Sequence, residues 1–169
     1  MAPFGEQARA LQTIPGVGKR TAEVIIAEIG VDMSRFPSAG HLASWAGMCP
    51  GNHESAGKRR SGRARKGDAA LRSALCEAAW AAARTKDTYL AAQFHRLRRR
   101  FGKGGDNKAI FAVGHSMLVI IWHLLANHCD YEELGGDYFA RRTDAEARTR
   151  YLVRQLHALG HQVTLEPAA

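Results

Sequence analysis

Two serines beside a dense group of cations are the residues of this sequence best suited to chemistry on a phosphodiester. Ser55 precedes a run from Lys58 to Lys66 in which six of nine residues are Lys or Arg, and Ser61 lies inside that run. A serine hydroxyl can attack phosphorus and hold a strand as an ester while guanidinium groups stabilise the developing charge. Chemistry alone leaves both serines open as the nucleophile. It also leaves open that the run is an ordinary solvated stretch.

The segment that contains this run, Pro50 to Asp68, is predicted to be an exposed loop. It shows no apolar periodicity, so it has no face to pack against a core. We expect repulsion between like charges to keep it mobile until nucleic acid neutralises them. His53 is a candidate acceptor for the serine proton. The predicted nucleic-acid contacts in this loop are Lys58, Arg59, Arg60, Arg63, Arg65 and Lys66.

A second phosphate-binding pattern lies upstream, between Leu11 and Gly30. The sequence IPGVGK separates two segments with helical apolar spacing, which is typical of a helix-hairpin-helix. Glycines let the turn present N–H groups to a phosphate at the start of the second helix, where cations add charge. The predicted contacts are Gly16, Gly18, Lys19 and Arg20. The alternative is a purely structural pair of helices.

Composition is consistent with one globular domain that binds a polyanion. The chain has 169 residues, 46% hydrophobic residues, a net charge of +8 and a pI near 9.9. The hydrophobic content argues against disorder throughout. The excess of cations points to nucleic acid or, less often, to an anionic membrane surface.

The remaining compositional features predict a cytoplasmic protein that is not inserted in a membrane. Three widely spaced cysteines form no disulfide pattern, and the first residues lack the features of a signal peptide. The segment Ala109 to Ala126 approaches membrane length, but His115, Ser116 and His123 interrupt it. We therefore interpret it as a buried core helix in which these histidines bond locally.

The sequence predicts a mainly α protein: a compact helical domain with an N-terminal helix-hairpin-helix and a basic loop. Ser38 is expected to cap a short helix, with Leu42, Trp45 and Ala46 directed inward. Asp68 is expected to cap a long Ala-rich helix. The remaining predicted helices are Thr88–Phe101, Lys108–Asn127 and a last one that begins with a capping box of Thr143 and Glu146.

No metal site is predicted in this chain. The nearest groupings of Cys and His, Cys49 with His53 and His128 with Cys129, do not reach four ligands at the spacing of a zinc site. The carboxylates are scattered, and those in the C-terminal third are typical of surface or capping residues. The residues themselves thus offer no intact metal-nuclease cluster.

Three consecutive stretches resemble the carboxy-terminal domain of insertion-sequence-110 family transposases. They are IPGVGKRTAEVIIAEIG, WAGMCPGNHESAGKRRSGRARKGDAALRSAL and the segment from AAWAAARTKDTYL to HSMLVIIWHLL. The resemblance covers about Leu11 to Leu125. It implies DNA recombination by a serine in the loop after a Gly-x-x-Pro stretch. Here that stretch is Gly47 to Pro50, so the implied nucleophile is Ser55, with Ser61 as the fallback.

The resemblance also implies partners and a missing part. Members of this family act with an RNA that bridges donor and target DNA, so a guide RNA, DNA and a homo-oligomeric assembly are the implied partners. They carry an amino-terminal RuvC-like domain with a DEDD metal cluster, where Mg²⁺ is possible, and nothing in this sequence matches it. We therefore expect a fragment or a truncated copy that cleaves DNA poorly by itself.

The predicted organisation has three parts. Residues 1–13 are the end of a connecting helix, residues 14–129 form the transposase domain with the helix-hairpin-helix at 11–30, and residues 130–169 form a helical extension. The alternative function is a non-catalytic helix-hairpin-helix module that binds DNA and in which Ser55 is an ordinary loop residue.

Overall fold

The computed structural model describes residues 4–49, 53–55, 57–61, 66–142 and 145–166. The protein is mainly α, as predicted. Its helices are α1 Gly5–Gln12, α2 Lys19–Ile29, α3 Ala39–Trp45, α4 Ala69–Arg84, α5 Tyr89–Phe101, α6 Asp106–Asn127, α7 Tyr138–Arg141 and α8 Ala145–Ala158. A short 3-10 helix, Met33–Arg35, precedes α3, and two short strands, β1 His53–Ser55 and β2 Lys58–Ser61, lie between α3 and α4.

Helix α6 is the centre of the domain. It contacts α1, α3, α4 and α5, and Val113, Met117, Leu118 and Ile121 on it are fully buried. By length and composition α6 could cross a membrane, but half of its apolar window is buried inside the protein. Its apolar character is thus explained by its neighbours, in agreement with the prediction of a core helix.

Helix α4 follows its prediction closely. Asp68 caps it, because its Oδ1 accepts a hydrogen bond from the Leu71 N–H at 2.6 Å. The face predicted to be buried is buried: Leu71, Leu75, Ala78, Ala79 and Ala82. The small side chains on this face allow other backbone segments to approach α4 closely.

Helix α3 shows one confirmed and one wrong prediction. Ser38 occupies the N-cap position, but its hydroxyl bonds Nδ1 of His41 at 2.8 Å instead of a backbone N–H. Leu42 and Ala46 are buried as predicted, whereas Trp45 is 46% exposed. Trp45 packs against Phe36, with ring centroids 5.7 Å apart. This contact covers part of the apolar surface of the Trp45 ring, although the ring lies outside the core.

The segment after α6 returns to the body of the domain. Asp130 pairs with Arg9 on α1 at 3.3 Å, and Phe139 of α7 stacks on Tyr89 at the start of α5. In α8, by contrast, the described side chains are exposed apart from the half-buried Val153. Thr143 of the predicted capping box lies outside the described residues. The predicted division into three parts stays a prediction.

Candidate nucleic-acid interface

The turn between α1 and α2, residues 13–18, is pressed onto α4. Gly16 has a φ of +87°, and a Cβ placed on it would lie 2.3 Å from the carbonyl oxygen of Ala78 and 2.6 Å from the nitrogen of Ala82. Only glycine fits there, because both the backbone conformation and the space exclude a side chain. Gly16 therefore has a packing role that its place in a phosphate-binding pattern did not indicate.

Gly18 differs from Gly16 although it lies two residues away. It is exposed, a Cβ on it would meet nothing within 4 Å, and its φ of −87° and ψ of 173° are open to any residue. It is the N-cap of α2, and Lys19 and Arg20 in the first turn are both exposed. The first N–H groups of a helix lack intrahelical acceptors, so this end of α2 combines free donors with two cations.

The basic segment contains a β-hairpin, residues 53–61, which we call the basic hairpin. Strands β1 and β2 are antiparallel, with an irregularity between His53 and Glu54, and Gly57 adopts a φ of +72° in the turn. The prediction of a loop without regular structure was therefore wrong for these residues. Backbone pairing does not require apolar side chains, which is why the missing periodicity gave no sign of it.

The register of the basic hairpin separates the two candidate serines. Ser55 pairs with Lys58 next to the turn, whereas Ser61 pairs with His53 at the other end. The backbone thus brings the candidate proton acceptor His53 opposite Ser61, and it lies two residues before Ser55 on the same strand. The two serines occupy opposite ends of the hairpin, so substitutions at each can distinguish them.

The predicted cations of this segment differ in how far the structure describes them. Lys58, Arg59 and Arg60 form β2, and Lys66 is exposed just before α4. Arg63 and Arg65 lie outside the described residues. Six cations within nine residues of sequence still make this the most basic part of the chain.

The basic hairpin leaves and rejoins the body at one place. Gly47, with a φ of +68°, ends α3, and Met48 after it is fully buried. On the return, a Cβ on Gly67 would lie 2.3 Å from the carbonyl carbon of Ala46 and 2.3 Å from the nitrogen of Gly47. The backbone before α4 therefore crosses directly over the backbone after α3.

The two predicted phosphate sites adjoin α4 at different points along its length. The basic hairpin joins α4 at its N-terminus, and the α1–α2 turn rests on Ala78 and Ala82 further along it. At a rise of about 1.5 Å per residue, these points are about 15 to 20 Å apart along the helix axis. That distance is less than one turn of duplex DNA, about 34 Å.

A groove between α5 and α6 contains polar residues that the sequence did not single out for binding. Gln93 donates from Nε2 to Oγ of Ser116 at 2.8 Å. Its Oε1 and Nδ1 of His115 are buried and have no hydrogen-bond partner among the described residues. The prediction that His115 bonds locally was therefore wrong for this ring nitrogen. The signal missed in the sequence was two polar residues facing each other from neighbouring helices, which only the tertiary structure reveals.

No metal centre appears in the described part of the chain: no three side chains of His, Cys, Asp or Glu converge there. Cys49 and Cys76 are half-buried, and Cys129 is exposed. Burial raises the pKa of the Cys76 thiol, partly offset by Arg72 nearby. This keeps the thiol protonated and disfavours it as a nucleophile.

A comparison with protein families decides the affiliation of the chain. The family model of the Transposase IS116/IS110/IS902 family matches residues 8–106. The chain belongs to this family. The matched residues include the α1–α2 turn, the basic hairpin, α4 and α5.

Individual relatives agree with this affiliation. The transposase for insertion sequence element IS1111A of Coxiella burnetii is 30% identical over 132 residues, 78% of this chain and 36% of that protein. The pilin gene-inverting protein of Moraxella bovis is 48% identical over 52 residues, 31% of this chain and 16% of that protein. The insertion element IS110 uncharacterized 43.6 kDa protein of Streptomyces coelicolor is 52% identical over 40 residues, 24% of this chain and 10% of that protein.

The chain thus covers at most 36% of the length of these relatives. A transposase family acts in transposition or recombination, with DNA as its substrate. Which residues of this chain carry out which step goes beyond what family membership shows.

Proposed function

We propose that this chain is the DNA-binding, serine-bearing domain of a transposase and that Ser55 is its nucleophile. The observation that carries the proposal is the family match over residues 8–106, which includes Ser55 and every described cation predicted to contact nucleic acid. Membership in a family of transposases, together with a hydroxyl beside a dense basic segment, favours attack on a DNA phosphodiester over a purely structural domain.

The chemical step requires a proton acceptor and stabilisation of charge. Oγ of Ser55 forms a bond to phosphorus while one bond from phosphorus to a deoxyribose oxygen breaks. The hydroxyl proton passes to a base, for which His53 is the candidate in this chain, and the released sugar oxygen takes up a proton. Attack by another sugar hydroxyl reverses the step and frees the serine, and guanidinium groups such as Arg59 and Arg60 offset the extra negative charge.

Two surfaces are proposed to bind the duplex backbone. The first is the N-terminal end of α2, with Gly18, Lys19 and Arg20, in the manner of a helix-hairpin-helix. The second is the basic hairpin with the cations that follow it. Contacts of this kind set the position of a protein on DNA without reading its sequence, so binding should depend strongly on salt and weakly on sequence.

The complete enzyme is proposed to need more than these residues. A guide RNA, a homo-oligomeric assembly and an additional domain that holds Mg²⁺ belong to the proposal through the family resemblance. We expect the 169-residue chain alone to bind duplex DNA but to cleave it poorly or not at all.

The binding part of this proposal is tested by salt titration of the affinity for a short duplex. A variant with Lys58→Ala, Arg59→Ala and Arg60→Ala should lower the slope of log affinity against log salt by about one unit for each phosphate that the variant no longer neutralises. The matched control removes the same charge from α8, with Arg148→Ala, Arg150→Ala and Arg154→Ala. An equal slope change in both variants would mean that net charge, rather than the basic hairpin, governs binding.

The second candidate is a non-catalytic module that binds DNA through the helix-hairpin-helix. The exposed N-terminal end of α2 favours it, because this surface can hold a phosphate without any contribution from Ser55. In that case the charge variants would weaken DNA binding, but no serine of the assembled protein would form an adduct with DNA.

A further inference from the structure

The groove between α5 and α6 has a volume of about 770 Å³. This volume lies in the range of sites that bind small organic groups. Its lining residues belong to α5 and α6, apart from Met48. None of them belongs to the α1–α2 turn or to the basic hairpin.

The walls of this groove suit a flat apolar ring. Phe111 on α6 is half-buried, and Phe101 at the end of α5 is 41% exposed. Leu97 on α5 also lines the groove and is half-buried. Aromatic and aliphatic side chains that remain open in this way offer stacking surface that the fold itself does not use.

Two polar residues, Gln93 and His115, are among those that line the groove. Oε1 of Gln93 can only accept, and Nδ1 of His115 can donate or accept according to its tautomer. Both atoms are buried and have no partner in the described part of the chain. A buried polar atom without a partner is costly, so a small shift of these side chains that brings the two atoms to a ligand would be favourable.

One cation lines the groove and a second lies near it on α5. Lys108 lines it, and Arg100 lies one turn beyond Leu97 and two turns beyond Gln93, on the same face of α5. Neither Arg100 nor Lys108 takes part in an ion pair among the described residues, whereas the adjacent Arg98 is paired with Asp106 at 2.7 Å. The groove therefore combines an apolar slot with unpaired positive charge at its edge.

We propose that this groove holds one unpaired nucleobase of the bound nucleic acid. The base would stack on Phe111, its edge would bond Gln93 and His115, and the flanking phosphates would contact Lys108 and Arg100. This inference rests on the proposed function, because it requires a nucleic-acid strand at the protein surface. An apolar segment of another protein would fill the slot but leave the two cations without partners, so charge complementarity favours the nucleotide.

The groove is also close to the proposed nucleophile along the chain. Met48 forms part of its wall and precedes Ser55 by seven residues. Seven residues span at most about 25 Å, so a base held in the groove belongs to the same stretch of DNA that would meet Ser55. An unpaired base at that distance would fix the register of the strand relative to the serine.

The test compares three short duplexes by fluorescence anisotropy with the full 169-residue chain. One is fully paired, one carries a single bulged nucleotide, and one carries a bulged abasic site with the same backbone but no base. We expect the bulged base to bind about fivefold to a hundredfold tighter than the bulged abasic site, which is the effect of stacking one base on an aromatic ring. Equal affinity for these two duplexes would overturn the inference.

Three variants test whether the preference for the bulged base arises in the groove. Ala112→Phe fills the groove and should abolish the preference for the bulged base while leaving the affinity for the paired duplex unchanged. Ala126→Phe is the matched control, because Ala126 is also half-buried on α6 but does not line the groove. This variant should keep the preference for the bulged base. Gln93→Met, which removes the amide but keeps the length of the side chain, should reduce the preference for the bulged base.

The other possible outcomes also test the inference. If the preference for the bulged base survives Ala112→Phe, the groove does not hold a base. The same conclusion follows if this variant alters self-association, measured by sedimentation, and leaves the preference unchanged. Duplex binding without any preference for the bulged base overturns this inference and leaves the proposed function intact. A chain that binds none of the three duplexes overturns both.

Discussion

The helical body and the basic hairpin are held in place by different forces. In the body, α6 and its neighbours bury a continuous set of apolar side chains, and Gly16 allows the α1–α2 turn to touch the backbone of α4. The described strands of the basic hairpin are held by backbone pairing with each other. Changes in the body should therefore alter stability first, whereas changes in the hairpin should alter binding first.

The largest expected effect is on the body, from Gly16→Val. The new side chain would collide with the backbone of α4 and would require a positive φ, so we expect a loss of about 3 to 5 kcal/mol in the free energy of unfolding. Urea denaturation followed by circular dichroism measures this loss directly.

Gly18→Val is the matched control two residues away. Its exposed site and extended backbone should keep the loss of stability below about 1 kcal/mol. The same substitution should weaken duplex binding, because the branched side chain crowds the N–H groups at the start of α2. Similar losses of stability at both glycines would mean that the close packing on α4 does not distinguish them.

A smaller effect is expected in hydrogen exchange of the basic hairpin. An isolated two-stranded hairpin is only marginally stable, so its amides should exchange much faster than those of α6 in the free protein. Duplex DNA should slow the hairpin amides by about tenfold or more and leave those of α6 unchanged. Hairpin amides as protected as those of α6 without DNA would contradict the contrast between these two regions.

Sequence reasoning predicted the helical body well because its signals are local. Asp68 as the cap of α4 and the buried face from Leu71 to Ala82 follow from residue type and helical spacing, and both are present in the structure. Trp45 was predicted to point inward on the same reasoning and is half-exposed. Helical spacing gives the face of a residue, but not whether a neighbour covers that face completely.

The candidate site was predicted less completely because its determinants are tertiary. Gly16 is required by a contact with a helix more than sixty residues later in the sequence, and spacing within the turn cannot indicate this. The strands of the basic hairpin carry no apolar pattern. Gln93 and His115, whose buried polar atoms have no partner among the described residues, line a groove between two helices. Ser55 was selected over Ser61 through the family resemblance, and that choice stays a prediction.

The most direct measurement of the central claim is the capture of a covalent protein–DNA adduct by an assembled, full-length relative of this chain. Denaturing gels would compare the unaltered protein with variants equivalent to Ser55→Ala and Ser61→Ala, which remove one hydroxyl each from opposite ends of the basic hairpin. We predict that the adduct disappears only when the residue equivalent to Ser55 is changed. Loss of the adduct only with the change equivalent to Ser61→Ala, or an adduct that survives both substitutions, would contradict the assignment of Ser55 as the nucleophile.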